Sequence, residues 1–310
     1  MITHLSDVVF NKDRVVTVGT FDGVHIGHQA LFKHVIDAAR DRGCTATLIT
    51  FDPHPREVIG SPKGPICYLT TLQERYSSLR DLGLDELIVI PFTRAFSLTS
   101  STEFIEETIV KRIGCRELWI GYDHHYGKDR QGGHELASEL GLKHQFEVSV
   151  FPELTQNEQE VSSTVIRKAI HQGQMELVSK MLGHHYTLEE TVIMGEQRGR
   201  TLGYPTLNFA LKSVKKCIPK TGVYAVLCDI QGANQTLKGM ANIGVRPTFG
   251  VSSQNLEVHL FDYKGDLYGT ICRIQFIQRI RDERSFDGVN ELIKQLGKDE
   301  VTAREMLSRT

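Results

Sequence analysis

The chain has 310 residues, enough for about two domains of ordinary size, each with its own core. Its 36 Lys and Arg residues nearly balance its 38 Asp and Glu residues, so its overall charge offers no attraction to nucleic acid or to an anionic membrane. Charged residues (24%) and hydrophobic residues (40%) occur in the proportions of an ordinary globular protein. Any phosphate binding must therefore be local.

The N-terminal segment MITHLSDVVF lacks a basic region followed by a long apolar one, and no stretch approaches the roughly 18–20 apolar residues of a membrane span. The six cysteines are scattered singly and form no CxxC pair. These features predict a reduced, cytoplasmic protein without a membrane partner. We further expect it to be a monomer or a weak homo-oligomer.

The most informative stretch covers residues 15–34, VVTVGTFDGVHIGHQALFKH. An apolar run is followed by a turn with Gly19 and Gly23, and then by apolar residues near helical spacing. This pattern predicts a buried strand, a tight loop and a helix.

The HxGH sequence of this stretch falls at the predicted start of the helix. There the backbone N–H groups are unpaired and the helix dipole is positive, so anions bind, phosphates above all. Gly27 would let a nucleotide approach the main chain, while His25 and His28, three residues apart, could both hydrogen-bond phosphate oxygens. Ordinary cap residues or a metal-binding pair are the alternative interpretations.

The following segments alternate strand and helix patterns. Apolar strands are predicted at residues 45–51, 87–92 and 117–121. Capping-box spacings, Thr71 with Glu74 and Ser100 with Glu103, predict helix starts between these strands. The alternation predicts an α/β domain with a parallel sheet, Rossmann-like, whose ligands bind beyond the carboxyl ends of the strands.

Two later segments carry further anion-binding chemistry. GYDHHYGKDRQGG follows the strand at 117–121 and combines Asp123 with basic residues and several glycines, although it also suits a solvated turn. VSSTVIRKAI places Ser163 and Thr164 at a helix start, with Arg167 one turn later. Hydroxyl caps are common, but a guanidinium pairs with phosphate oxygens through a fixed fork, which makes a second anion site plausible.

From residue 186 onward, short alternating strands separated by glycine turns replace the helical patterns. They predict a small closed antiparallel β-barrel. An apolar pattern around Val289 and Leu296 predicts a helix at its end. We therefore expect two domains, residues 1–183 and 184–310.

The segment GEQRGRTLGYPTLNF, residues 195–209, opens this second half. Glycines and arginine suit a flexible cover over nucleotide phosphates, and the segment provides Gly199, Arg200 and Gly203. The hydroxyl and amide oxygens of Thr206 and Asn208 are hard ligands suited to Mg²⁺.

Together, TFDGVHIGH, GYDHHYG, VSSTVIR, PTLN and LEVHLFD resemble, in order, the motifs of bacterial bifunctional riboflavin kinase/FAD synthetases, whose first half is an HxGH nucleotidyltransferase. The resemblance implies a C-terminal riboflavin kinase β-barrel that phosphorylates riboflavin to FMN. It implies an N-terminal domain that adenylylates FMN to FAD and releases pyrophosphate. ATP, riboflavin and FMN would be the substrates and Mg²⁺ the cofactor, with no nucleic-acid partner.

The same resemblance assigns site residues in the first half. The expected ATP ligands are Gly19, Phe21, His25, Gly27, His28, Asp123, Ser163, Thr164 and Arg167. Among them, His28 and Arg167 would also act on the transferred group. His124 stands where the family has a phenylalanine.

In the second half, the resemblance assigns metal binding to Thr206 and Asn208. Gly199, Arg200 and Gly203 would contact ATP or flavin. Glu257 would be the general base that takes the proton of the ribityl 5′-hydroxyl, although an exposed strand position is the simpler interpretation of an acidic residue there. Leu207 replaces the alanine of the family, a change that should matter little if the side chain points into the core.

Two alternatives stay open. The HxGH domain could be degenerate or specific for another phosphate-bearing substrate, beside an active riboflavin kinase. The whole chain could instead be a flavin-binding regulator without catalysis.

Overall fold

The protein is described by a computed structural model that covers residues 1–60, 64–121, 127–128, 132–152, 155–156, 159–195, 198–211, 215–233, 235–248 and 251–309. The chain divides into two compact units, Met1–Ser163 and Thr164–Thr310. The functional boundary expected after residue 183 stays a prediction.

The first unit contains a six-stranded sheet. Its strands are β1 (Ile2–His4), β2 (Arg14–Val18), β3 (Thr45–Asp52), β4 (Glu86–Pro91), β5 (Glu117–Gly121) and β6 (Glu147–Phe151). Their order is β1-β4-β3-β2-β5-β6, and every neighbouring pair is parallel. A short antiparallel ribbon follows, formed by β7 (Thr155–Gln156) and β8 (Gln159–Glu160). The predicted parallel sheet is confirmed.

Helices lie between these strands. They are α1 (Ile26–Arg42), α2 (Pro55–Ile59), α3 (Leu72–Asp81), α4 (Ser101–Glu103) and α5 (His134–His144). A wider helical segment with i→i+5 hydrogen bonds, Phe104–Ile113, continues α4, and short 3₁₀ turns cover Leu5–Asp7 and Phe96–Leu98. Thr71 and Glu74 form both hydrogen bonds of the predicted capping box at the start of α3.

The central strand β2 is buried along its whole length. Val15 faces one hydrophobic core, which α1 covers, and Val16 and Val18 face the other. Burial on both faces explains why β2 reads as a continuous apolar run. From β2 the chain passes to β3 and β4 on one side and later to β5 and β6 on the other, so the carboxyl end of β2 is a topological switch point.

The second unit is a barrel with flanking helices. Its helices are α6 (Ser163–Gln172), which begins at the last residue of the first unit, α7 (Met175–Leu182), α8 (Arg198–Thr201) and α9 (Val289–Leu307). Its strands are β9 (Tyr186–Ile193), β10 (Leu207–Ala210), β11 (Gly222–Ile230), β12 (Thr236–Thr248), β13 (Val251–Leu260) and β14 (Ile271–Arg281).

These strands close in the order β10-β13-β12-β11-β14-β9, with β9 and β10 completing the circle and every pair antiparallel. Ala303 and Leu307 of α9 pack on Ala225 and Met240 of the barrel. Arg281 donates to both oxygens of the buried Asp299 carboxylate, which ties α9 to β14. The predicted closed barrel with a terminal helix is therefore confirmed.

Among the described residues, no helix combines the length and the apolar character that crossing a bilayer requires.

Candidate active sites

The turn between β2 and α1, residues 19–25, has an unusual backbone. Phe21 and Val24 have positive φ angles of 45° and 43°, and Gly23 has a φ of 91°. Such angles are costly for residues other than glycine and persist where the surroundings enforce them. A Cβ on Gly19 would lie 2.7 Å from the Phe21 ring, so glycine is needed there to seat that ring. Gly23 makes the predicted turn.

The Asp22 side chain bonds this turn to residues 69 and 70. Its carboxylate, 1% exposed, accepts hydrogen bonds from the Leu69 N–H (3.0 Å) and from the N–H and hydroxyl of Thr70 (3.0 and 3.1 Å). The Gly23 N–H in turn donates to Thr70 Oγ1 at 3.0 Å. The turn is thus bonded to the segment before α3 through a buried carboxylate.

His25 and His28 meet at the start of α1. The Nδ1 atom of His25 accepts a hydrogen bond from the His28 backbone N–H at 3.3 Å, which makes His25 the N-cap. The two imidazole rings are stacked, with centroids 3.5 Å apart, and the Phe21 ring meets His28 edge-on at 5.2 Å. His25 is therefore a helix cap and a constituent of the predicted histidine pair at once.

Both histidines are neutral near pH 7. Burial lowers the pKa of His25 to about 4, although Asp22 opposes the shift. Burial, followed by the neighbouring His25 and by Arg75, holds the pKa of His28 well below its usual value. Since His25 Nδ1 accepts a hydrogen bond, its ring proton is on Nε2.

One polar atom of this site lacks a partner. His28 Nδ1 is buried and makes no hydrogen bond with the residues that the structure describes. Buried polar atoms are normally paired, so this one indicates a bound group. A Cβ on Gly27 would lie 3.2 Å from His25 Nδ1, so glycine also leaves room for the His25 ring. The geometry fits phosphate oxygens at a helix N-terminus.

The remaining residues predicted for this site lie at α6 or beyond the described ranges. Ser163 Oγ donates to the Asp22 backbone oxygen at 2.8 Å, which joins it to the turn. Thr164 is exposed and Arg167 half-buried, one turn apart in α6. Asp123 and His124 lie outside the described residues.

The second site lies on the polar face of β13. Glu257 is half-buried and stands opposite Asn208 on β10 and Asn242 on β12, while its neighbours Leu256 and Val258 point into the core. Asn255 Nδ2 donates to Glu257 Oε1 at 3.0 Å. The predicted base is thus surrounded by amides, with Asn208 directly across the strand.

Thr206 and Arg200 line an open groove at the start of β10. It continues along Tyr263, Asp266 and Tyr268. Arg200 Nη2 reaches the Tyr268 hydroxyl at 3.5 Å. Two of the predicted kinase-site residues therefore line the same groove.

Leu207 also lines this groove and is half-buried. In the barrel register it stands opposite the buried Val258, on the same face of β10 as the buried Phe209.

The glycines of this segment serve close backbone packing. Gly199 lies in α8, and a Cβ there would be 2.2 Å from the Tyr204 carbonyl oxygen, while Gly203 turns the chain with a φ of 82°. A Cβ on Gly195 would lie 2.3 Å from the Asn208 amide. Asn208 Nδ2 donates to the Thr206 carbonyl oxygen at 3.3 Å. Thr206 and Asn208, the predicted metal ligands, carry hydroxyl and amide oxygens, which are the kind of ligand that a hard divalent cation binds.

The sequence reasoning missed two residues of the first site, Asp22 and Arg75. Asp22 stands inside the quoted TFDG motif, and its place between a buried strand and a helix start was the available signal. Arg75 occupies an apolar stripe with Leu72, Tyr76 and Leu79, all packed in the core under α1, and that helical spacing could have identified it.

Comparison with protein families gives two matches. The model described as FAD synthetase matches residues 8–165, and the model described as riboflavin kinase matches residues 182–307. They fall on the halves that contain the two sites above.

Relatives align over nearly the whole chain. The "Bifunctional riboflavin kinase/FMN adenylyltransferase" of Bacillus subtilis is 35% identical, covering 97% of this chain and 96% of its own. The Escherichia coli protein of the same name is 35% identical, with 96% and 93% covered. A crystal structure described as a macrolide-efflux protein from Streptococcus pneumoniae is 32% identical, with a TM-score of 0.88 and 98% of each chain covered.

Proposed function

The chain belongs to the bifunctional riboflavin kinase/FMN adenylyltransferase family, and we propose that the two sites described above divide its two reactions. It phosphorylates riboflavin to FMN and adenylylates FMN to FAD, with ATP consumed in both steps. We assign the first reaction to the Glu257 site and the second to the histidine pair, with the functional boundary after residue 183.

The observation that carries this assignment is the stacked His25 and His28 pair at a helix N-terminus, with His28 Nδ1 buried and unpartnered among the described residues. In adenylyl transfer, an FMN phosphate oxygen attacks the α-phosphorus of ATP and pyrophosphate leaves. This reaction needs positioning and charge neutralisation more than a protein nucleophile.

His25 and His28 supply part of that stabilisation. As neutral imidazoles they donate N–H groups to phosphate oxygens. The unpaired backbone N–H groups at the start of α1 add to the anion site, and Gly27 lets a phosphate approach the main chain there. The helix end contributes about 0.3–2 kcal/mol, so further cations are required. Gly19 and Phe21 shape the turn, and Asp123, Ser163, Thr164 and Arg167 are proposed as further ATP ligands from the family motifs.

In the barrel, Glu257 is proposed to take the proton of the ribityl 5′-hydroxyl while that oxygen attacks the γ-phosphorus. Asn255 holds one carboxylate oxygen, which directs the side chain along the polar face. Arg200, Gly199 and Gly203 are proposed to border the ATP phosphates, since Arg200 and Thr206 line the same groove.

A nucleotide-using enzyme of this kind requires a metal ion, and we propose Mg²⁺ held by Thr206 and Asn208. When bound, it supplies charge neutralisation to the phosphates. Small-molecule substrates fit both activities. A monomeric or weakly oligomeric state, the lack of a nucleic-acid partner and a cytoplasmic location stay predictions.

The test is a time course in which the purified protein receives riboflavin, ATP and Mg²⁺, and riboflavin, FMN and FAD are separated by chromatography. We expect FMN to appear first and then to convert to FAD. A parallel reaction starting from FMN should give FAD without riboflavin. FMN that accumulates without FAD in both reactions would instead support the alternative of a degenerate or differently specific HxGH domain.

A further inference from the structure

Arg75 is a buried cation beside the histidine pair. It lies in the first half of α3, and its side chain reaches the carboxyl end of β3, where only 3% of the residue is exposed. Arginine is almost never buried to this extent unless it is paired, because the desolvation of its charge is expensive. The pairing of Arg75 therefore decides what the residue does.

The guanidinium is only partly paired. Its Nη1 donates to Thr50 Oγ1 at 3.0 Å, whereas Nη2 is 3.8 Å from Asp22 Oδ1, beyond hydrogen-bond length. Its Nε is buried and has no partner within the described ranges. The Asp22 carboxylate is meanwhile occupied by the neutral donors of Leu69 and Thr70. Among the described residues, the guanidinium thus makes one hydrogen bond and a long ion pair, to a carboxylate that it shares with neutral donors.

The same contacts connect the turn of residues 19–25 to β3 and α3. Thr50 Oγ1 accepts from Arg75 and donates to the Thr20 carbonyl oxygen at 3.3 Å, so one hydroxyl joins α3, β3 and the turn before the HxGH sequence. Asp22, two residues after Thr20, lies on the other side of the guanidinium. Removing the guanidinium would leave both the hydroxyl and the carboxylate without their shared neighbour.

We propose that Arg75 is a positioning residue of the adenylyltransferase site, which holds the turn of residues 19–25 in place and adds buried positive charge beneath the point where the histidines meet the triphosphate. This inference rests on the function proposed for the histidine pair. It explains why an arginine occupies an apolar stripe of α3. Because ATP and pyrophosphate are polyanions, a fixed cation in a low-dielectric site stabilises the transferred charge without reorganisation.

The charge of Arg75 also affects the pKa of His28, which can be measured separately from stability. Burial and the neighbouring His25 lower the pKa of His28 most, and the Arg75 charge is the third cause. The charged and titratable groups that act on the histidine pair are Asp22 and Arg75, together with the histidines themselves. Asp22, Asp52 and Tyr68 act in turn on Arg75. Removing the Arg75 charge should therefore raise the pKa of His28 toward its ordinary value, while the other groups stay in place.

The experiment compares Arg75→Gln and Arg75→Lys with Arg80→Gln, an exposed arginine of the same helix whose partner is the surface residue Asp81. Each full-length protein is assayed for FAD formation from FMN, ATP and Mg²⁺ across pH, and for FMN formation from riboflavin as the internal control. We expect Arg75→Gln to lose about tenfold or more in kcat/KM for FAD formation. In the pH–rate profile of this variant for FAD formation, the rate should begin to fall at a higher pH than in wild type (the acid limb), because the pKa of His28 is raised. Arg75→Lys should restore the acid limb but only part of the rate, and FMN formation should match wild type throughout.

Unchanged FAD formation in Arg75→Gln would overturn the proposal. So would a rate loss with an unmoved acid limb and no recovery in Arg75→Lys, because that pattern indicates a structural role alone. If Arg75→Gln loses its fold, Thr50→Val decides: a few-fold loss restricted to FAD formation supports the proposal, and a wild-type rate rejects it. Full FAD formation in His28→Ala would instead show that the proposed function of the histidine pair is wrong.

Discussion

The two candidate sites differ in how far they are removed from water. In the first unit, Asp22 and His25 are 1% and 6% exposed, and the turn that contains them has two non-glycine residues with positive φ. In the second unit, Thr206, Asn208 and Glu257 are half-buried, and Thr206 lines an open groove. The site of the histidine pair is therefore shaped by the fold itself, and burial keeps its two histidines neutral.

The difference follows from the folds. A parallel sheet covered on both faces places its switch point among buried segments, whereas a small barrel has an outward face on every strand. Substitutions in the first site should therefore affect pH dependence and stability as well as rate. Those in the second should act mainly on rate and metal requirement.

The largest effect is expected from Glu257→Gln, which removes the proposed base while keeping the shape of the side chain. FMN formation should fall by about 10²–10⁴, the usual contribution of general-base catalysis. FAD formation from supplied FMN should stay at the wild-type rate, as measured by chromatography of both products. Loss of both activities would contradict the assignment of separate sites.

His28→Ala should produce the reverse pattern. FAD formation should fall by about 10²–10³, the cost of removing one donor from a site that stabilises transition-state charge. FMN formation from riboflavin should be unchanged in the same preparation. Normal FAD output from this variant would exclude His28 from the reaction.

A smaller effect, about tenfold on FMN formation, is expected from Gly195→Ala, as is usual when the surroundings of a metal ligand are disturbed. The new Cβ would lie 2.3 Å from the Asn208 amide and displace a proposed metal ligand. The Mg²⁺ concentration for half-maximal rate should therefore rise. Gly297→Ala in α9 is the matched control, since its Cβ would make only an ordinary 3.6 Å contact with Tyr204. Equal Mg²⁺ requirements in both variants would contradict the role of Asn208.

The fold could be predicted from the sequence because its signals are local. Hydrophobic periodicity and capping residues predicted β2, α3 and the barrel strands. The capping box of Thr71 and Glu74 forms as its spacing indicates. The pairing of Asn208 with Glu257 could not be predicted, because strand register depends on the closed barrel. Arg75 was missed although its helical spacing with Leu72 and Leu79 was a signal, because an arginine on a helix is ordinarily solvated and the sequence does not show the contacts that bury this one.

The smallest effect is on the free energy of unfolding, whose dependence on pH should reflect the buried His25 of the first site. The pKa of His25 is about 4 in the folded protein, below its ordinary value of 6.5. Between these values the unfolded chain takes up a proton that the folded protein excludes. The His25 contribution to the free energy of unfolding is therefore fully present above pH 6.5 and is lost as the pH falls toward 4.

From pH 7 to pH 5 this loss should be about 2 kcal/mol for His25 alone. It can be followed in the first unit through the fluorescence of Trp119, the only tryptophan of the chain. His25→Asn is the matched variant, because asparagine caps helices but does not titrate. His28 stays in both proteins, so the smaller pH dependence expected of His25→Asn isolates the His25 contribution. Equal pH dependence would mean that the turn does not hold His25 neutral, and the contrast between the two sites would then rest on geometry alone.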